Sequence, residues 1–337
     1  MKAALFDAVG QPLRIDDLPV PQPAEDEVLL RIAACGICGS DLHMTEDPIT
    51  FGLKQYDVLG HEFAGEVIAC GAMVTDLKPG DRVAVAPTRG CGHCDSCRRG
   101  EPAWCAEMRL IGGGYAEYTT VAARQCRILP HDLPTSEGAL AEPLAVALHV
   151  VMRSGLKPGN RVLILGAGPI GLLVAFWARR YGAADVIVAD LGRYQEERAT
   201  ALGATGFALS GPGLADEFTQ MTGAKPDIVF ECVGKRGLLD FACQLVRTRG
   251  TVVGVGLCVG GDQWDSFAAL SKEITLVFAV FFNMAEFETA LEALGPGRFR
   301  PQELITERIG FAEVADTFEA LRRRTTQCKV LIAAAAE

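Results

Sequence analysis

Cys38-Gly39-Ser40-Asp41-Leu42-His43, followed by Gly60-His61-Glu62, places a thiol, a hydroxyl and four groups able to bind metal or relay protons within 25 residues, in a stretch of mixed strand and loop character. Thiolate, imidazole and carboxylate are ligand types of zinc, and three protein ligands with a vacant fourth position make a catalytic site. Cys38 and His61 are candidate ligands, with Cys35 the rival to Cys38. Glu142, just before Pro143, is the best third ligand, because it stands where the strand-rich part of the chain gives way to an alternating part. Glu62 adjoins His61 and either binds directly or acts from just outside the ligand set. Asp41 is expected to hydrogen-bond around the site.

The most specific spacing is Cys91-x2-Cys94-x2-Cys97-x7-Cys105, with Gly90, Gly92 and Gly100 to fold the loop. Four thiolates so spaced suit a closed tetrahedral zinc site, which has no open position and is therefore structural. His93 is expected to be a turn residue there. The chain has 12 cysteines and opens without an apolar run of signal-peptide length, so the clustered thiols read as ligands, not disulfides.

Gly166-Ala167-Gly168-Pro169-Ile170-Gly171 fits G-x-G-x-x-G between an apolar run, Val162-Leu163-Ile164-Leu165, and a helix-like segment. In that context Gly166 permits a tight turn, Gly168 lets a pyrophosphate reach the backbone, and Gly171 lets helix and strand pack closely. The helix N-terminus supplies free N–H groups to the phosphates. Asp190, 19 residues after Gly171, stands where a carboxylate accepts bonds from the adenosine ribose. It repels a 2′-phosphate, which favours NAD over NADP, although Arg193 could meet such a phosphate. Backbone at Val233 and Val255 is expected to border the nicotinamide.

These residues need two kinds of scaffold. Lys2–Asp7, Glu27–Ala34, Glu66–Ala69, Arg82–Val85 and Tyr115–Val121 read as short strands with Gly and Pro turns, the pattern of a mainly antiparallel, barrel-like domain. A helix is predicted from Ser136 to Val151, with Pro143 early in it or kinking it. Strands at Arg161–Leu165, Asp185–Ala189, Asp227–Glu231, Thr251–Val255 and Ile274–Ala279 then alternate with helices at Ile170–Tyr181, Tyr194–Leu202 and Gly237–Arg247, which is a doubly wound parallel sheet. Two amphipathic helices, Glu286–Leu294 and Phe311–Arg323, precede a last strand, Lys329–Ile332, expected to return to the first domain. The predicted division is 1–152 with 295–337 for the zinc-binding catalytic domain, and 153–294 for the dinucleotide-binding domain.

At 337 residues two domains are the prior, and 49% apolar residues suffice for substantial cores. The net charge of −10 argues against nucleic acid or an anionic membrane as partner. The longest charge-free apolar run, Val162–Ala178, is glycine-punctuated and short for a membrane span, so a cytoplasmic protein is expected.

Taken together, Cys38-Gly39-Ser40-Asp41-Leu42-His43, Gly60-His61-Glu62-Phe63-Ala64-Gly65-Glu66-Val67, Gly80-Asp81-Arg82-Val83, the four-cysteine lobe, Gly114-Tyr115-Ala116-Glu117-Tyr118, Glu142-Pro143-Leu144 and the glycine turn resemble the zinc-dependent medium-chain dehydrogenase/reductase family. The likeness runs in order over essentially the whole chain and is strongest to the branch of polyol, sorbitol, butanediol and threonine dehydrogenases. It implies an α/β protein with a GroES-like catalytic domain, a Rossmann domain binding NAD, and two zinc ions per chain. It makes Cys38, not Cys35, the ligand, with His61 second, Glu142 third, and Glu62 an exchanging ligand or neighbouring base. Ser40 and His43 match a proton relay running from the alcohol through the nicotinamide ribose to solvent. A homodimer or homotetramer acting on a small alcohol, polyol or ketone is implied. The chain departs from the family at Gly39 and in short segments after His43 and Cys105, all near where substrate would be held. The alternatives are an NADP-preferring ketone reductase and a non-catalytic cofactor-binding redox sensor, the latter disfavoured because sensing needs no relay.

Overall fold

The computed structural model describes residues 1–297, 300–323 and 326–333. The chain forms two compact units: Met1–Glu142 with Asn283–Pro296 and Ile305–Glu337, and Pro143–Phe282 with Gly297–Leu304.

The first unit is built on a seven-stranded sheet. In spatial order its strands are Ile305–Ile309, Lys329–Ala333, Glu27–Gly36, Glu62–Cys70, Arg82–Val85 and Cys126–Ile128, and Tyr118–Ala122 also pairs with Glu27–Gly36. Every pairing is antiparallel except Ile305–Ile309 with Lys329–Ala333. The last strand thus joins the first unit, beside Glu27–Gly36. Val28, Leu30, Ile32, Phe63, Val67, Val83, Val121, Val330 and Ile332 fill the core. The register sets Gly36 opposite both Glu62 and Leu331, so the end of Glu27–Gly36, just ahead of Cys38, lies between the start of Glu62–Cys70 and the middle of the last strand. Gly36 has a packing reason: a Cβ there would overlap the Glu62 carboxylate and press on the Lys329 side chain.

Residues Gly39–Glu46 form an α-helix, and Pro48–Phe51 a single further turn, where the sequence reads as strand and loop. The longer helix lacks an apolar stripe; only Asp41, Leu42 and Thr45 are buried. Tertiary ties compensate. Arg322 donates to Leu42 O, to Thr45 Oγ1 and to Glu46, binding the helix to the C-terminal segment. The predicted Phe311–Arg323 helix is one α-helical stretch, Val314–Ala320, between two 3₁₀ turns.

The second unit carries a six-stranded, wholly parallel sheet in the order Gly206–Leu209, Asp185–Asp190, Arg161–Leu165, Ile228–Glu231, Thr251–Gly254, Thr275–Phe278. Numbered along the chain this is 3-2-1-4-5-6, the dinucleotide-binding order, whose direction reverses between Arg161–Leu165 and Ile228–Glu231. The Gly206–Leu209 strand and the helix after it, Leu214–Thr222, are additions to the predicted elements. Pro143 causes no break: it sits in the first turn of Ala141–Arg153, where no intrahelical N–H is needed. The short alanine run Ala333–Ala336, which the sequence leaves as a tail, lies, beyond Ala333, outside the described residues.

Candidate active site

Cys38 is the residue before the Gly39–Glu46 helix, His61 directly precedes the Glu62–Cys70 strand, and Glu62 opens it. One ligand atom of each of Cys38, His61 and Glu62 lies within 4.8 Å of the others. Cys35 does not join them; it is fully buried on its strand, where a Cβ on Gly60 or Gly114 would crowd its sulfur.

Asp41 organises the imidazole. Its Oδ1 faces His61 Nδ1 at 3.2 Å, which leaves Nε2 for a metal. Oδ2 accepts from the Tyr115 hydroxyl at 2.6 Å and from Cys38 N at 3.2 Å, which leaves Oδ1 to the His61 contact alone. Ser40 Oγ lies 3.2 Å from Cys38 Sγ and 3.4 Å from a nitrogen of His61, Nε2, at the point where thiol and imidazole converge. Burial works against charging His61, but the adjacent Asp41 carboxylate and Cys38 outweigh it and hold its pKa well above the ordinary 6.5. Without metal this imidazole keeps a proton that metal binding must expel.

Glu142, buried at the start of its helix, lies outside the 4.8 Å set. Burial pushes its carboxyl up to about 7, His61 pulls it down, and Glu62 pushes it up again, so the three share one electrostatic neighbourhood. Glu62 is already matched: both its oxygens accept from Lys329 Nζ, at 2.7 and 2.5 Å, and both residues are buried. Lys329 also donates to Ile37 O, ahead of Cys38. Sequence reasoning missed Lys329. The available signal was a lysine inside the apolar run Val330-Leu331-Ile332, since a lysine is almost never fully buried unless paired. His43 stands at 41% side-chain exposure, 3.6 Å from Glu46, on the same helix as Ser40. A sulfur, an imidazole nitrogen and carboxylates, with Asp41 behind the imidazole, fit a zinc ion by their donor chemistry.

The four cysteines of the lobe also converge, with one sulfur of each within 4.8 Å of the rest. Backbone N–H groups point at the sulfurs: Cys91 N and Glu107 N donate to Cys105 Sγ, and Cys94 N to Cys91 Sγ, each at 3.3 Å. Such bonds, from His93 and Cys94 first, bring the Cys91 thiol down to about 6, while Cys97 is pushed up to about 12 by burial and its neighbours. Four thiols cannot all ionise so close together unless a cation is among them, and the donor set suits a closed zinc site. His93 turns its ring back to Cys91 O.

In the second unit Gly166 has φ +100° and leads into Pro169–Arg180, whose first residue is Pro169 and whose N-cap is Gly168. A Cβ on Gly171 would overlap Gly166 O, while one on Gly168 would meet nothing within 4 Å, so the backbone there is open to an incoming group. Ile170 lies in the first turn. Asp190 accepts from Ala167 N at 2.7 Å and from Leu191 N at 2.6 Å, bracing the glycine turn and keeping lone pairs for other donors. Arg193 pairs with Glu196 at 2.8 Å and approaches Glu217 at 3.8 Å. Val233 meets the same turn, because a Cβ on Gly166 would crowd its methyl. Glu231, which sequence reasoning treated only as a strand end, is buried and accepts from Val233 N and Gly234 N, and its backbone oxygen accepts from Val255 N.

Comparison with known proteins follows the same division. The alcohol dehydrogenase GroES-like domain family matches residues 24–131, and the zinc-binding dehydrogenase family matches residues 169–295. Sorbitol dehydrogenase of Bombyx mori is 33% identical, over 95% of this chain and 95% of its own length. An alcohol dehydrogenase of Escherichia coli CFT073 (rspB), solved with NADH, shares 29% identity with TM-score 0.89, covering 99% of each chain. The 2R,3R-butanediol dehydrogenase of Bacillus subtilis shares 30% identity with TM-score 0.88, again covering 99% of each chain.

Proposed function

Because the chain belongs to the zinc-dependent medium-chain dehydrogenase/reductase family, we propose that it interconverts a secondary hydroxyl of a small alcohol or polyol and the matching ketone, with NAD as hydride carrier. The observation that carries this reading is the convergence of Cys38, His61 and Glu62 within 4.8 Å beside the Ser40 hydroxyl. A zinc ion held by Cys38, His61 and Glu142 would supply the Lewis acid that makes a hydroxyl acidic. Asp41 holds the His61 ring, and Lys329 holds Glu62 beside the ligands as a neutral pair. Ser40 Oγ accepts the proton of the reacting hydroxyl as its own hydroxyl proton passes outward toward His43. His43, three residues on and thus on the same helix face, gives it to solvent, a step its exposure suits.

The second zinc, on Cys91, Cys94, Cys97 and Cys105, folds the lobe. Gly166, Gly168, Pro169, Ile170 and Gly171 receive the pyrophosphate on open backbone and a helix N-terminus. Asp190 recognises the adenosine ribose. NAD is preferred over NADP because Asp190 repels a 2′-phosphate and Arg193 is already engaged by Glu196 and Glu217.

Among the described residues no helix is long and apolar enough to cross a membrane. Five thiols in the two sites, kept as ligands, call for a reducing compartment, which favours the cytoplasm. The edge strand Thr275–Phe278 pairs on one side only, and Phe278, Val280, Phe267 and Leu270 near it are 66%, 58%, 75% and 72% exposed. An open edge flanked by apolar side chains is a template for a second copy, so the protein assembles at least as a homodimer.

The reading is tested by metal analysis and by a panel of secondary alcohols and polyols with NAD and NADP. Two zinc ions per chain and NADH formation are expected. A zinc-loaded protein that forms no reduced cofactor with any substrate of the panel refutes it.

A further inference from the structure

We propose that Tyr115 is a positioning residue for the catalytic zinc: its hydroxyl aims the Asp41 carboxylate, and through it the His61 ring, at the metal. This rests on the zinc reading of Cys38 and His61 given above.

Tyr115 is fully buried, and its place is fixed by backbone. Gly113 N donates to Val58 O and Leu59 O, Gly114 N to Gly60 O, and Tyr115 N to Leu59 O. Gly60, directly before His61, has φ +86°, and a Cβ there would overlap the Tyr115 ring. The ring therefore lies flush against the segment that delivers His61. Phe318 meets it edge-on, with ring centroids 6.4 Å apart and planes at 78°.

The hydroxyl has a separate task. A phenylalanine would fill the same space between Gly60 and Phe318, so packing does not call for an oxygen. A buried tyrosine hydroxyl needs a partner, and here the partner is Asp41 Oδ2 at 2.6 Å, across 74 residues of sequence. A carboxylate can rotate and present either oxygen. Two donors on one oxygen, Tyr115 Oη and Cys38 N, remove that freedom and leave Oδ1 facing His61 Nδ1. The same bond joins the helix carrying Ser40 and His43 to the Gly113–Tyr115 segment, which is hydrogen-bonded to the residues just before His61. Fixing both the tautomer and the ring orientation of a metal-binding histidine is the task of such outer partners.

The test is release of each zinc to a chromophoric chelator from wild type, Tyr115→Phe, Asp41→Asn and the double variant, with the four-cysteine zinc as internal reference. Absorption of the cobalt-substituted catalytic site provides a second readout. Tyr115→Phe should hold the catalytic zinc about 10-fold more weakly, at the low end of the loss for an outer partner. It should shift the cobalt bands and leave the four-cysteine zinc unchanged, and the double variant should lose no more than Asp41→Asn alone. Unchanged retention, equal loss of both zincs, or additive losses in the double variant would overturn the proposal. So would a Tyr115→Phe chain that does not fold, since a hydroxyl with only this task can be removed without loss of the core. A wild type that holds only the four-cysteine zinc overturns the zinc reading itself, an outcome distinct from those.

Discussion

Replacing Glu142 by Gln should move the stability of the metal-free chain and its hold on zinc in opposite directions. Burial raises the Glu142 carboxyl from an ordinary 4.5 to about 7. At ~1.4 kcal/mol for each pH decade, keeping it ionised in the folded chain costs ~3 kcal/mol. Below pH ~4.5 the group is neutral in both folded and unfolded chains, and a carboxamide is a close stand-in for the acid. As the pH rises from ~4.5 the unfolded chain loses its proton first, so folding loses stability progressively until the folded group has also ionised, just above 7. The glutamine has no proton to lose. Metal-free wild type and variant should therefore match near pH 4.5, and the variant should be the more stable by ~3 kcal/mol at pH 8.

With zinc present the order reverses, because the cation compensates the buried negative charge and the variant has lost a ligand. Retention of the catalytic zinc should fall by more than the roughly 10–100-fold that outer partners cost, while the four-cysteine zinc stays. Urea titrations of the metal-free chains from pH 4.5 to 8, with zinc release to a chelator, read out both halves. A stability difference independent of pH, or a variant that holds both zincs as tightly as wild type, would refute the assignment of Glu142 to the metal.

Ser40→Ala should remove most turnover yet keep both zincs, since its hydroxyl touches Cys38 and His61 without being a ligand; normal turnover in steady-state assays would sink its role. Asp190→Gly should lower kcat/KM with NAD more than with NADP, and it also deletes the brace on Ala167 N, so some loss with both cofactors is expected; an unchanged ratio rejects ribose recognition by Asp190. Phe278→Lys places a charge on the open sheet edge and should shift the protein toward monomer in sedimentation velocity, with zinc content intact; an unaltered mass would place the subunit contact elsewhere.

Much of this site was legible because its chemistry is local. The four cysteines fall within 15 residues, and the glycine turn follows its strand directly. The alternation of strands and helices gave the parallel sheet, while Gly206–Leu209 escaped because it is short and lies between a glycine and a serine-glycine break. The Gly39–Glu46 helix escaped for a different reason. It has no apolar periodicity to read, and Arg322, some 280 residues away, holds it down. Lys329 is hidden in the same way, since its partner Glu62 is 267 residues distant.

These long-range ties follow a common logic. A buried site with at least three carboxylates, Asp41, Glu62 and Glu142, is unstable by itself, because each charge must be matched or neutralised. The chain treats them differently: Glu62 is paired with Lys329, Asp41 with His61 and the Tyr115 hydroxyl, while Glu142 feels His61 and Lys329 only at a distance, too weakly to offset its burial. That least-compensated carboxylate is the one proposed above as the zinc ligand. Bringing the C-terminal strand back to pair with Glu27–Gly36 delivers the lysine that leaves this imbalance at a single carboxylate. The same strand pairing that completes the sheet therefore also sets, on the ligand assignment proposed above, which acid is left for the metal.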